Sequence, residues 1–160
     1  MNKKIQKTVL AGLIGTLIMT IVMMIAPMMG MPKMSPPKML AEMLGMPIFV
    51  GWIMHFMIGI VFAFAYTYLH LFKHKISNVW LKGVVFGIIA FVFAQVMMRV
   101  MGMMMPIPKM EGSMVLMAIE SLMGHIIFGM AVAKTVGETY CNSRTCKTKT
   151  THSNVSYEKH

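Results

Sequence analysis

The stretch "IFVGWIMHFMIGIVFAFAYTYLHLF", residues 48–72, decides the fold of this chain. It contains no Asp, Glu, Lys or Arg, and it exceeds the roughly 20 apolar residues with which an α-helix crosses a hydrocarbon core. The stretch therefore predicts a membrane-spanning helix. It also raises the question of His55, because a polar side chain in hydrocarbon needs a hydrogen-bond partner.

Three further segments of the chain are similarly apolar, at about 9–29, 79–98 and 114–136. The 160 residues are 57% hydrophobic and 12% charged, whereas a soluble domain carries roughly 25% charged residues. We therefore expect an all-α, polytopic membrane protein with four transmembrane helices. The first segment follows a basic start, but it is longer than the apolar part of a signal peptide and no A-x-A site follows, so we expect a retained anchor.

Basic residues predict the orientation of the four helices. Four crossings place both termini on one side of the membrane, and that side would hold eleven basic residues against four on the other. The positive-inside rule then places both termini in the cytoplasm. The eleven are Lys3, Lys4, Lys7, Lys73, Lys75, Lys82, Lys134, Arg144, Lys147, Lys149 and Lys159, and the four are Lys33, Lys38, Arg99 and Lys109.

The net charge of +10 is consistent with this orientation and with attraction to anionic lipid. We therefore expect the lipid bilayer as a partner and no nucleic acid, and we leave open a homo-oligomer or a membrane partner. Residues 137–160 form a basic tail that we expect to be disordered, outside a membrane domain of residues 1–136. Cys141 and Cys146 in this tail are not expected to form a structural disulfide in the cytoplasm. A metal site that also uses His152 and His160 is the alternative, although the spacing fits no compact zinc pattern.

The membrane domain contains a predicted duplication, in which about 11–66 corresponds to about 83–136. Gly15 matches Gly87 at an offset of 72, "PKM" 37–39 matches "PKM" 108–110 at 71, and His55 matches His125 at 70. Each repeat supplies two helices, so the copies run the same way through the membrane. Their pseudo-twofold axis would lie along the membrane normal.

Small residues surround both histidines at intervals of four, which places them on one helix face. Such faces let helix backbones approach closely in lipid. The predicted packing residues are Gly51, Gly59 and Ala63 with His55, Ser121, Gly129 and Ala133 with His125, and Gly15 and Gly87 on the other two helices.

The paired histidines allow two interpretations. In one, each imidazole forms a structural hydrogen bond across helices. In the other, His55 and His125 converge on a haem iron, a metal ion or a proton path, because buried polar groups in membranes often mark function. We expect the structural interpretation and no bound cofactor. The candidate hydrogen-bond partners are Thr16, Thr20, Gln95 and Ser121.

Methionine, 24 residues in all, is unevenly distributed: none occurs between Ile58 and Val96. In the predicted topology the methionines therefore concentrate in the outer half of the bundle. The segment "SPPKMLAEMLGMP", residues 35–47, predicts a short surface helix with Ser35 at its N-cap. Thioethers are soft ligands that suit Cu(I), although methionine is also an adaptable apolar filler. The candidate soft-metal ligands are Met39, Met43, Met46, Met110, Met114 and Met117.

Three stretches resemble a family of small bacterial four-helix, Met-rich inner-membrane proteins known only as a domain of unknown function. They are "GLIGTLIMTIVMMIAPMMGMPKM" at 12–34, "MLGMPIFVGWIMHFMIG" at 43–59 and "ESLMGHIIFGMAVA" at 120–133. The resemblance covers about residues 8–136 and departs from the family at Arg99 and in the tail. It implies the fold, the topology and a bacterial inner-membrane location, and it implies no activity.

No enzyme motif is present in the sequence, and Glu120 is the only acidic residue within a predicted span. We therefore expect a non-enzymatic protein. The leading hypothesis is the handling of a soft metal ion or a small solute from the outer side. The alternatives are a membrane-structural or partner-binding protein and a bis-His haem subunit for electron transfer.

Overall fold

A computed structural model describes residues 3–31, 35–68, 78–104 and 113–153, with side chains as far as Val136. Within these ranges the chain forms five α-helices and no strand. A 3-10 helix at Ala26–Met29 extends the first of them. The helices are α1 (Lys3–Ile25), α2 (Pro36–Leu44), α3 (Ile48–Tyr68), α4 (Val79–Met104) and α5 (Met114–Ser153).

Four of these helices are long and apolar enough to cross a membrane: α1 with its 3-10 extension, α3, α4 and the Met114–Val136 part of α5. This confirms the predicted fold class. The α3 helix occupies all of the described residues 48–68, and α4 continues to Met104, beyond residue 98 at which the predicted apolar segment ends. Continuation of α4 is physically reasonable, because residues 98–104 contain no proline.

The fifth helix extends beyond the membrane domain that the sequence predicts. It continues past residue 136 as far as Ser153, whereas the sequence predicts a disordered tail from residue 137. The division of the chain into a membrane domain and a tail stays a prediction. The suggested roles of Cys141, Cys146, His152 and His160 lie outside the described side chains.

Helix contacts give the order α3–α1–α5–α4 across the bundle, with α2 packed on α3. The Thr8 hydroxyl near the start of α1 bonds to the Thr67 hydroxyl near the end of α3, at 3.2 Å, so these helices are antiparallel. Gly83 near the start of α4 lies beside Met130 on α5, so this pair is antiparallel too. Since α1 also contacts α5 in the antiparallel sense, α3 and α5 run in the same direction. The predicted duplication requires this arrangement, and the duplication itself stays a prediction.

At one end of the bundle α1 and α4 terminate and α3 and α5 begin. Because α2 packs there, beside Gly51, we call it the α2 end. Ser35 occupies the N-cap position of α2, and Gly45, with φ of 62°, ends the helix in the left-handed region. A Cβ atom on Gly51 would collide with the Pro37 carbonyl oxygen and would lie 3.0 Å from the Ala41 Cβ. Glycine at position 51 therefore allows α2 to rest directly on the backbone of α3.

Lysines and aromatic rings meet at the opposite end of the bundle. The Lys4 ammonium lies 4.5 Å from the centre of the Tyr68 ring, and the Lys134 ammonium lies 5.7 Å from that of Trp80. Lysines with aromatic neighbours are typical of membrane–water interfaces, where the aliphatic stem stays in the apolar layer and the charge reaches water. These contacts therefore mark the opposite end as an interface.

The two interfaces between the predicted repeats are packed differently. Between α1 and α5, Gly15 lies directly against Phe128 and Val132. By contrast, α3 and α4 face each other across a cleft of about 600 Å³ with an apolar lining that includes Ile58, Val61 and Ala90. Across this cleft α3 and α4 meet through two aromatic ring pairs, Phe62–Phe93 with centroids 5.7 Å apart and Tyr66–Phe86 with centroids 5.0 Å apart.

Candidate functional site

His55 lies buried on α3 and is hydrogen-bonded to α1. Its Nε2 atom is 3.1 Å from the Thr20 hydroxyl, and that hydroxyl donates to the Thr16 carbonyl oxygen at 2.7 Å. Because the hydroxyl proton is already used, the Nε2–H of His55 must be the donor in the bond to Thr20. His55 thus has the kind of partner that the structural interpretation of the sequence requires.

His125 lies partly buried on α5 and has a different environment. Its Nδ1 atom is 2.7 Å from the Ser121 carbonyl oxygen on the preceding turn, so this bond lies within α5 and not across helices as the structural interpretation expects. Since a carbonyl oxygen can only accept, Nδ1 carries a proton and Nε2 has the free lone pair of a neutral imidazole. The Phe91 ring stands edge-on to the imidazole, with centroids 5.9 Å apart.

The environments of the two histidines differ at equivalent positions of the predicted repeats. A Cβ on Gly12 would lie 2.7 Å from the Cα of Ile60, and a Cβ on Gly83 would lie 2.6 Å from the Cα of Met130. These matching contacts align α1 with α4 at an offset of 71, one less than the offset of 72 at which the sequence pairs Gly15 with Gly87, so Gly87 corresponds to Thr16 instead. Thr20 then corresponds to Phe91, so the hydroxyl that bonds His55 is replaced by an apolar ring beside His125.

The two histidines lie at the same level of the bundle. Thr20, the partner of His55, follows Met19, and the Met19 side chain contacts Gly124, which precedes His125. Any ligand shared by both rings would have to displace the Nε2–H bond of His55 or use its Nδ1.

Glu120 is the most unusual polar residue in the described part of the chain. Its side chain on α5 is 3% exposed, and neither carboxylate oxygen has a hydrogen-bond partner among the described residues. By comparison, Glu42 is half-exposed and pairs with Lys38 at 3.5 Å. Buried carboxylates are normally paired, hydrogen-bonded or bound to a metal. Glu120 is therefore a buried carboxyl group that no described side chain or backbone group satisfies.

Buried thioethers lie one helix turn before and one helix turn after Glu120 along α5. Met117 and Gly124 lie three residues before and four residues after it, on the same helix face. The Sδ atom of Met23 and the Cε atom of Met19, both on α1, lie 3.3 Å from the position of a Cβ on Gly124. We call Met19, Met23, Met117 and Glu120 the Met–Glu cluster; its three methionines are at most 8% exposed.

The six methionines that the sequence predicts as soft-metal ligands do not share one environment. Met43 and Met117 are buried, whereas Met46 is 54% and Met114 is 85% exposed. Met39 is partly buried, and Met110 lies outside the described residues. The difference arises because α2 lies on α3 with one face only and because Met114 is the first residue of α5. Met43 and Met117 are therefore the members of this set that the structure places in the interior.

The predicted packing residues are all buried: Gly15, Gly51, Gly59, Ala63, Gly87, Ser121, Gly129 and Ala133. Gly59 lies against the Thr16 hydroxyl, and Gly129 lies against the Gly83 carbonyl oxygen. Sequence analysis missed Glu120 and Gly124 as parts of a site. The sequence contains a signal for them: Glu120 is the single acidic residue of a predicted span, and it lies three residues after Met117 and four before Gly124, on one helix face.

Comparison with family models gives a match over residues 2–146 to a family of unknown function, DUF6789. The chain belongs to this family. The match confirms the resemblance to an uncharacterised family and reaches further into the tail than the sequence stretches indicate. No curated protein and no solved structure matches the chain. Since the family carries no described activity, the buried polar side chains and methionines of the bundle are the features that bear on function.

Proposed function

We propose that this protein binds a soft metal ion of the Cu(I) type within the membrane and receives it from the outer side. The supporting observation is the burial of four methionines, Met19, Met23, Met43 and Met117, each at most 8% exposed. All four lie in the half of the bundle nearest the α2 end. Thioethers are soft, neutral ligands, and they select Cu(I) and similar ions over hard cations such as Mg²⁺.

The proposed orientation places the α2 end on the outer side of a bacterial inner membrane and both termini in the cytoplasm. It rests on the eleven-to-four distribution of basic residues and the positive-inside rule. The lysine–aromatic contacts of Lys4 and Lys134 at the opposite end agree with a cytoplasmic interface there. In this orientation an ion reaches the Met–Glu cluster from the periplasmic face. We propose binding or transfer of the ion rather than an enzymatic reaction.

A membrane-structural or partner-binding protein is the competing proposal. Methionine fills irregular cores well, and the hydrogen bond between His55 and Thr20 accounts for one histidine without any ligand. Haem ligation by both histidines has less support, because the Nε2–H of His55 is already a donor to Thr20. The unpaired carboxylate of Glu120 is the observation that a purely structural role leaves unexplained.

Metal binding can be tested with the purified full chain in detergent. Affinities for Cu(I) under reducing conditions and for Ag(I) would be measured against a competing chelator. The test variant replaces Met19, Met23, Met43 and Met117 by Leu, which keeps bulk and apolarity at a cost usually below about 1.5 kcal/mol per buried site.

The matched control replaces four methionines that are at least 81% exposed, Met28, Met29, Met103 and Met104, by Leu. We expect the control to retain the affinity of the wild type and the test variant to lose it. Equal binding by both variants, or no binding by the wild type at sub-micromolar free ion, contradicts the proposal.

A further inference from the structure

We infer that Glu120 is the charge-balancing ligand of a monovalent soft cation, which it binds together with the thioethers of Met23 and Met117. This inference rests on the proposed metal binding and specifies both the site and the charge of the ion. Two observations carry it: the buried carboxylate without a hydrogen-bond partner, and the buried thioethers of Met117, one turn before it, and of Met23, which lies beside Gly124 one turn after it.

Met117 and Glu120 lie on the face of α5 that the Met23 side chain of α1 approaches at Gly124. Met117 and Glu120 are three residues apart, so their Cβ atoms are about 5–6 Å apart on the same face of α5. The Sδ atom of Met23 lies 3.3 Å from the Cβ position of Gly124, one turn further along that face. The α1 thioethers therefore pack directly on the backbone of α5 at Gly124.

The charge of the cluster selects the ion. Methionine thioethers are neutral, so the carboxylate is the single charged group of the cluster. A monovalent cation gives a site without net charge, whereas a divalent cation leaves one uncompensated positive charge in a low-dielectric interior. The thioethers favour a soft ion, and the single negative charge favours a monovalent one, so the site suits Cu(I) or Ag(I) better than Cu²⁺ or Zn²⁺.

Glu120 differs from Glu42, the other acidic residue whose side chain the structure describes. The Glu42 carboxylate is 46% exposed and is held by Lys38 on the same helix, so it has no vacant coordination sites directed into the interior. Glu120 has two buried oxygens available. One oxygen and two sulfur atoms would supply three ligands. Such a site suits a soft monovalent ion, whereas a hard cation prefers an octahedral site of oxygen ligands.

The test compares Cu(I) and Ag(I) affinities of the full-length wild type, Glu120→Gln, Met23→Leu and Met117→Leu. The matched controls are Met24→Leu, at a neighbouring residue that is 60% exposed, and Glu42→Gln. We expect Glu120→Gln, Met23→Leu and Met117→Leu each to weaken binding by about tenfold or more, and the controls to leave it unchanged. X-ray absorption at the copper edge should show sulfur and one oxygen in the wild type.

The outcomes separate this inference from the proposed function. If the wild type binds Cu(I) and Glu120→Gln binds it equally tightly, the inference is wrong and the proposed function stands. If the wild type does not bind, the proposed function itself is wrong. If Glu120→Gln fails to fold, the X-ray absorption spectrum of the copper-bound wild type still tests the inference. A coordination shell of sulfur alone would exclude the carboxylate as a ligand. Tighter binding of Zn²⁺ than of Ag(I) would contradict the charge argument.

Discussion

The Nε2 atom of His55 on α3 lies 3.1 Å from the Thr20 hydroxyl on α1. This hydrogen bond joins two helices at a level where the surrounding side chains are mostly apolar. At the equivalent position beside His125 the chain has Phe91, whose ring contacts the imidazole edge-on. Two histidines that the sequence presents as a symmetric pair therefore have different chemical surroundings, and substitutions near them should have unequal effects.

Replacement of Thr20 by Val should destabilise the detergent-solubilised protein by about 1–2 kcal/mol. The substitution keeps the shape of the side chain but removes the acceptor of the His55 N–H, which is then buried without a partner. The measurement is the free energy of unfolding in a denaturing-detergent titration followed by circular dichroism. Thr135→Val is the control, because the Thr135 hydroxyl bonds only within its own helix, to the Ala131 carbonyl oxygen at 2.8 Å. Equal destabilisation by both variants would show that the bond between helices contributes nothing specific.

Glycine positions at helix crossings should tolerate alanine very differently. A Cβ on Gly83 would lie 2.6 Å from the Cα of Met130, and this backbone atom cannot move aside. A Cβ on Gly124 would instead lie 3.3 Å from the flexible side-chain ends of Met19 and Met23. Gly83→Ala should therefore destabilise the bundle by about 1–3 kcal/mol, and Gly124→Ala should be close to neutral. Thermal unfolding of both variants would check this, and a stable Gly83→Ala protein would refute the close approach of α4 and α5.

Labelling should place the α2 end outside the cell. With Cys141 and Cys146 replaced by Ser, single cysteines at the exposed positions Ser35 and Ser113 should react with an impermeant maleimide in intact cells. A cysteine at the exposed position Asn78, at the opposite end, should react only after the cells are opened. Labelling confined to position 78 in intact cells would reverse the proposed orientation.

Protein purified from cells well supplied with haem should be colourless. Bis-imidazole ligation needs a free ring nitrogen on each histidine in a suitable direction, and the Nε2–H of His55 is already donated to Thr20. The measurement is the visible absorption spectrum of the oxidised and reduced protein. A Soret band that shifts on reduction and disappears in both His55→Phe and His125→Phe would establish the electron-transfer alternative instead.

Much of the fold follows directly from the sequence, because a bilayer restricts the solutions. Long segments without charge, such as residues 48–72, have few alternatives to a spanning helix. The small residues around His55 and His125 also lie where their spacing of four predicts, since helix geometry alone assigns them to one face.

The candidate site could be predicted only in part. Periodicity identified Met117 and Met43 as members of helix faces, but it could not decide which methionine of a face is buried, because that depends on how α2 and α5 are rotated against their neighbours. Glu120 was visible as the single acid of a span. Its lack of a partner and the position of Met23 beside Gly124, one turn further along α5, depend on the packing of α1 against α5, which no local pattern encodes.

The unequal packing of the repeat interfaces has a consequence for how such a protein can change over time. In a symmetric dimer of helix pairs, the α1–α5 and α3–α4 contacts would be copies, and every substitution would alter both of them together. In a fused chain, which the predicted duplication implies, Gly15 can be selected for close packing against Phe128 while Phe62 and Phe93 keep a cleft of about 600 Å³ between their helices. One interface can then preserve the fold while the other is free to acquire new chemistry.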